Sequence, residues 1–205
     1  MAPTEASQHS DEALMIRYQG GDRGAFAALV TRHRSALYNF ALRQLGSPAT
    51  AEEVVQDAFV RVVRNAGDFK HAARFSTWLY TIARNLCVDE ARKRVHRKHP
   101  SLDQPRQGAD GDGPTLGEQT GDGSIGVERL AASAQLKERV VEAVSALPDD
   151  QREVFLMREV SGLAFKEIAA VVGVSENTIK SRMRYALERL QLALSEFEEY
   201  ARALR

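Results

Sequence analysis

Between Ser175 and Leu190 the chain sets Asn177, Thr178, Lys180, Ser181, Arg182, Arg184 and Tyr185 on the polar side of a helical pattern. Its inward stripe is Ile179, Met183, Ala186, Leu187 and Leu190. Amide, hydroxyl and cationic groups on one helix can bind phosphates and read base edges if that helix enters a major groove. The residues ahead of it supply the corner. Phe165, Ile168, Ala169 and Val172 repeat at helical spacing, Gly173 can take the positive φ of a sharp turn, and Ser175 is a good N-cap for the second helix. Gly162 to Tyr185 therefore predicts a helix-turn-helix, with duplex DNA as its ligand. A helical hairpin with a solvated basic face would share the periodicity. The glycine, the cap and the polar face together favour DNA.

Composition narrows the alternatives. The chain has 205 residues, 43% of them hydrophobic and 27% charged, enough for one large or two small domains with proper cores. A formal net charge of zero is unusual for a nucleic-acid binder, but the charge is sorted by region. Arg92, Lys93, Arg94, Arg97 and Lys98 crowd one segment, and Asp103, Asp110, Asp112, Glu118, Asp122 and Glu128 follow it. The single cysteine, Cys87, excludes an internal disulfide framework, and its helical context predicts a small core residue rather than a redox group. His9, His33, His71, His96 and His99 are not spaced with carboxylates as metal ligands, and neither a Walker loop nor a nucleophile elbow occurs. Enzyme chemistry is thus the poorest reading, and no cofactor or metal is expected. Met1 to Ser10 lacks an apolar signal core and no run approaches membrane-spanning length, which predicts a cytoplasmic protein.

Helical periodicity dominates the elements that must carry these groups. Asp11 and Asp22 are candidate caps for two helices separated by Gly20-Gly21, the second carrying Phe26, Leu29, Val30, His33, Leu37, Phe40, Ala41 and Leu45. His33 in that stripe reads as a satisfied core histidine. Ser47-Pro48 opens a third helix, with Val54, Val55, Ala58, Phe59, Val62 and Val63 inward. A fourth begins near Ser76 and turns Leu79, Ile82, Ala83 and Leu86 inward, Asn85, Asp89 and Arg92 outward. From Pro100 to Gly126 glycine alternates with Asp, Ser, Thr and Pro, too little apolar surface to offset the entropy of ordering. Helical spacing resumes with Leu130, Leu136, Val140, Val144 and Leu147, and Pro148-Asp149 starts another helix. The predicted fold is all-α: a helical domain over residues 11–98, a flexible acidic, glycine-rich linker over 99–129, and a helix-turn-helix domain over 130–196.

Asp57-Ala-Phe59-Val-Arg-Val-Val, Phe75-Ser-Thr-Trp-Leu-Tyr-Thr-Ile-Ala-Arg-Asn85, Leu147-Pro-Asp-Asp-Gln-Arg-Glu-Val-Phe155, Ile168-Ala and Thr178-Ile-Lys-Ser-Arg182 stand in the order and separation of the blocks of bacterial extracytoplasmic-function (ECF) sigma factors. The chain resembles that family over nearly everything outside its ends and the linker. The resemblance implies a promoter-specificity factor that binds RNA polymerase core through its β and β′ subunits, recognises promoter DNA and is held by an anti-sigma partner. The first domain would be region 2, whose third helix docks on polymerase through Glu52, Glu53, Gln56 and Asp57, with Val54 and Phe59 as apolar anchors. Residues from Arg74 to Arg94 would capture the minus-10 element, Asn85 holding an extruded base and Arg74, Arg84, Arg92 and Lys93 the phosphates. Phe75, Trp78 and Tyr80 could stack on bases, although Trp78 also fits a core position. The second domain would be region 4, reading the minus-35 element through Lys180, Ser181 and Arg184, with Asn177, Thr178 and Arg182 on phosphates. Tyr185 departs from the family, where a basic residue is frequent. The linker would thread past the polymerase active-site channel, or serve only as a tether. Two other classes compete: a two-domain helix-turn-helix regulator acting without polymerase, and a docking module without sequence preference.

Overall fold

The computed structural model describes residues 9–70, 74–98 and 127–195. Among them the secondary structure is helical: α1 (Asp11–Gln19), α2 (Arg23–Leu45), α3 (Pro48–Arg64), a 3-10 turn (Ala66–Asp68), α4 (Phe75–Lys98), α5 (Val127–Ser145), α6 (Asp149–Glu159), α7 (Phe165–Val172) and α8 (Glu176–Ala193).

Local chemistry sets most of these ends. Asp22 caps α2, its Oδ1 accepting from the Ala25 N–H at 3.2 Å, and Gly46 closes the helix in the left-handed region at φ 65°. Ser47 caps α3, with Pro48 in its first turn, where a missing N–H breaks no helical hydrogen bond. At α1 the expected cap moves by one residue. Ser10 is the N-cap and accepts from the Ala13 N–H at 3.2 Å, so Asp11 sits in the first turn. Released from capping, the Asp11 carboxylate pairs with Arg32 and takes the His33 Nε2 at 2.7 Å, which makes His33 the satisfied histidine its position predicted.

Helices α1 to α4 enclose one core, with Leu14, Met15, Leu29, Phe40, Phe75 and Leu79 fully buried. Burying each such side chain contributes about 1.5–3 kcal/mol. Helices α6 to α8 form the second unit around Val154, Met157, Ile168 and Ile179. Arg152 fixes its entry: the guanidinium donates to the Ser145 and Leu147 carbonyls at 2.9 and 3.1 Å and pairs with Asp149. The two units are in contact, α4 along α7 and α2 against α6 and α5. The linker expected over 99–129 lies almost wholly outside the described residues, as do His71 and His99. Its last residues, 127–129, belong to α5.

Two stripe positions were misphased. Val63 of α3 and Leu187 of α8, both expected inward, are 43% and 48% exposed. In α3 the apolar residues span an arc wider than the α2 and α4 surfaces can cover, so one edge faces water.

Candidate nucleic-acid interface

The corner between α7 and α8 forms as its residue types require. Gly173 is left-handed at φ 80°, and the Ser175 Oγ accepts from the Thr178 N–H at 3.1 Å and meets the Thr178 hydroxyl at 2.9 Å. With Ile179, Met183, Ala186 and Leu190 buried, Asn177, Lys180, Ser181 and Arg184 face water. Lys180 pairs with Glu176 at 2.7 Å on the helix surface, a contact easily exchanged for phosphate. The Arg184 guanidinium lies over the Tyr185 ring, 4.8 Å from its centroid. Tyr185 itself borders a shallow cleft with Gln151, Glu188, Arg189 and Leu192, towards the C-terminal half of α8. Arg182 turns back into the protein, its Nε 3.2 Å from Asp150 and its Nη1 3.7 Å from Glu153.

Helix α4 presents a second set. Asn85 is exposed, with no hydrogen-bond partner for its amide among the described residues, and Arg92 is exposed two outward positions further along, past Asp89. Lys93 pairs with Glu90 at 2.6 Å. Arg74, just ahead of the helix, is 75% exposed and stands 3.2 Å from Glu167 of α7. Arg84 is different, because its guanidinium grips both carboxylate oxygens of Glu153, at 2.8 and 3.4 Å. Two of the aromatic candidates are not available for base stacking: Phe75 and Tyr80 are 0% and 1% exposed. Trp78 is half-buried against Phe69 and Phe75 at centroid distances of 5.3 and 6.2 Å. They pack into the first unit's core, Phe75 against His33 and Phe69 and Tyr80 against Phe40.

On α3, Glu52, Glu53, Gln56 and Asp57 form an exposed acidic face. Val54 and Phe59, expected as apolar anchors for a partner, are instead 1% and 8% exposed and belong to the domain's own core. The exposed apolar groups are Val60 and Val63, at 44% and 43%. Their signal was in the sequence, since both follow Gln56 at helical spacing and extend its stripe.

Buried ionisable groups are few. Burial pushes the Cys87 thiol up to about 12, with the nearby Glu90 adding to it, so the thiol packs rather than reacts. Burial likewise raises the Tyr80 phenol to about 12 despite the neighbouring Ser161 on the other unit. Glu153 is the one buried charged side chain among the described residues, 9% exposed, and its charge is met by two arginines. No His, Cys, Asp and Glu group among the described residues could hold a metal ion. No described helix is long and apolar enough to cross a membrane.

A helical four-element unit carrying an open amide and cations, paired with a helix-turn-helix unit, matches two models of one class of transcription factor. Residues 29–97 match Sigma-70 region 2 and residues 137–190 match Sigma-70 region 4. The chain is 30% identical over 174 residues to the ECF RNA polymerase sigma factor SigW of Bacillus subtilis, covering 85% of this chain and 91% of that one. It is 32% identical over 185 residues to the ECF RNA polymerase sigma-E factor of Escherichia coli, covering 89% and 93%. Among solved structures it is similar to CnrH in complex with the cytosolic domain of CnrY, with TM-score 0.64 and 26% identity over 92% of this chain and 99% of that one. It is also similar to the sigma factor RpoE of Bartonella quintana in complex with the anti-sigma factor NepR, with TM-score 0.65 and 26% identity over 83% and 96%. The chain belongs to the ECF sigma factors of the sigma-70 family. Its function is promoter-specific transcription initiation with RNA polymerase, which leaves the polymerase-independent regulator disfavoured.

Proposed function

We propose that this sigma factor engages polymerase core through the exposed acidic face of α3, grips the minus-10 element with α4 and reads the minus-35 element with the N-terminal half of α8. The observation that carries the reading is Asn85, an amide with both donor and acceptor, left open to water in the middle of a helix whose aromatic side is packed away. A base that has left the stack needs such a group to bond its edge, and Arg92 and Lys93 on the same helix suit the adjoining phosphates. Glu52, Glu53, Gln56 and Asp57 favour a basic surface on the β′ subunit, and Val60 and Val63 replace Val54 and Phe59 as the apolar part of that contact. Asn177, Lys180, Ser181 and Arg184 suit a major groove. The working domains are residues 11–98 and 130–196, with residues 99–129 as the path between them. The protein acts in the cytoplasm, without catalysis or a cofactor of its own. An anti-sigma partner is part of the proposal, supported by the relatives solved with CnrY and NepR.

The decisive test mixes the full chain with bacterial core polymerase and fragmented genomic DNA and sequences transcript 5′ ends. Discrete starts sharing two upstream elements, absent with core alone, are expected. In the same assay Asn85→Ala should lose discrimination at the downstream element; if it persists, Asn85 is not the reader.

A further inference from the structure

Ionic contacts cross the junction between the two units through Arg84 and Arg74, beside a hydrogen bond from the Arg152 Nε to the Gln44 Oε1 at 3.4 Å. Arg84 of α4 holds both oxygens of Glu153 on α6, while Arg182 of α8 approaches the same carboxylate from within the second unit at 3.7 Å. Arg74 meets Glu167 of α7 at 3.2 Å. Between them Tyr80 of α4 is sealed under the turn that carries Ser161. Beside these contacts lies a cavity of about 350 Å³, bordered by Cys87, Val88, Val172 and Val174, so the helix-turn-helix corner itself faces α4.

We propose that Glu153 is a latch: one buried carboxylate on α6 holds the free protein closed by occupying the Arg84 guanidinium across the junction, and the units must part before Arg84 reaches DNA. The proposal rests on the assignment of α4 and α8 to the two promoter elements. Its physical basis is exchange. A buried carboxylate that loses its partners is costly, so neither arginine leaves unless a phosphate or a domain movement compensates. Sharing one carboxylate also ties the two elements together, because withdrawal of Arg84 changes what holds Arg182. The closed form further sets α4 along α7, the helix that crosses the DNA backbone when a helix-turn-helix docks. The exposed acidic side chains of α3 take no part in these contacts, so polymerase binding there can proceed on the closed protein.

The test uses the full chain without polymerase. Anisotropy would measure binding to a labelled duplex carrying only the minus-35 element of a mapped promoter, and small-angle X-ray scattering would measure the maximum dimension. Glu153→Gln should bind about tenfold tighter than the parent protein and be more extended, the shift of a closed equilibrium that loses one charged contact. Arg84→Ala should do the same from the other side of the junction, and its own minus-10 role is silent on that duplex. If Glu153→Gln fails to fold by circular dichroism, Arg84→Ala decides. Folded variants with the parent's affinity and dimension would overturn the latch. Loss of sequence preference by every protein, even with core, would instead sink the DNA reading of α8, and scattering alone would then judge the latch.

Discussion

The carboxylates of α3 and the arginines at the junction of α4, α6 and α8 are charged groups under opposite conditions. Glu52, Glu53 and Asp57 stand in water with no ion-pair partner among the described residues, whereas Arg84 and Arg182 are three-quarters withdrawn from solvent against Glu153. A solvated charge can meet a partner by trading water alone, and its field acts at a distance. A paired, half-buried charge must first give up a bond. Under the proposed function the carboxylates of α3 are ready for polymerase as they stand, whereas Arg84 and Arg182, unlike the exposed Asn85, Lys180 and Arg184, would have to leave Glu153 before meeting DNA.

The largest effect is expected at α3. Asp57→Arg places like charge against a basic docking surface, which should weaken core binding by several kcal/mol. Anisotropy against labelled core would show it, with an unchanged melting temperature, since Asp57 is exposed. Unchanged affinity would remove α3 from the interface. Next in size is Arg184→Ala, expected to cost about 1–3 kcal/mol of discrimination at one or two minus-35 positions. A uniform loss over all sequences in a randomised-site selection would mark Arg184 as a phosphate contact. Arg152→Ala tests the scaffold rather than the faces: the loss of its carbonyl contacts at the start of α6 should lower stability by about 1–2 kcal/mol in urea unfolding.

The smallest effect is a pH dependence at Asp11. Burial works to raise its pKa, but the His33 hydrogen bond and charge, with Arg32, outweigh it and hold the carboxyl below the ordinary 3.8. A carboxylate with a depressed native pKa contributes stability that is fully present above 3.8 and lost as pH falls through the lowered value. Asp11→Asn should therefore flatten the acid limb of a stability profile below that pH, by less than about 1 kcal/mol once solvent screening is allowed for. An identical acid limb in the variant would assign the dependence elsewhere.

What the sequence disclosed follows the range of each interaction. Gly173, Ser175, Asp22 and Ser47-Pro48 act within a few residues, so their turn and caps were readable directly. Asn85 was readable as outward-facing because its neighbours repeat with a clean helical period. The phase of α3 was harder, since Val54, Val55, Phe59, Val60, Val62 and Val63 leave no narrow stripe, and only the packing of α2 and α4 selects which are covered. Glu153 was invisible. Its meeting with Arg84 joins residues 69 apart in the chain, and nothing local marks a glutamate on an amphipathic helix as destined for burial.

Cys87 lines the cavity at that junction, and burial there disfavours its thiolate. The one cysteine of the chain is therefore a poor thiol nucleophile while it stays buried there.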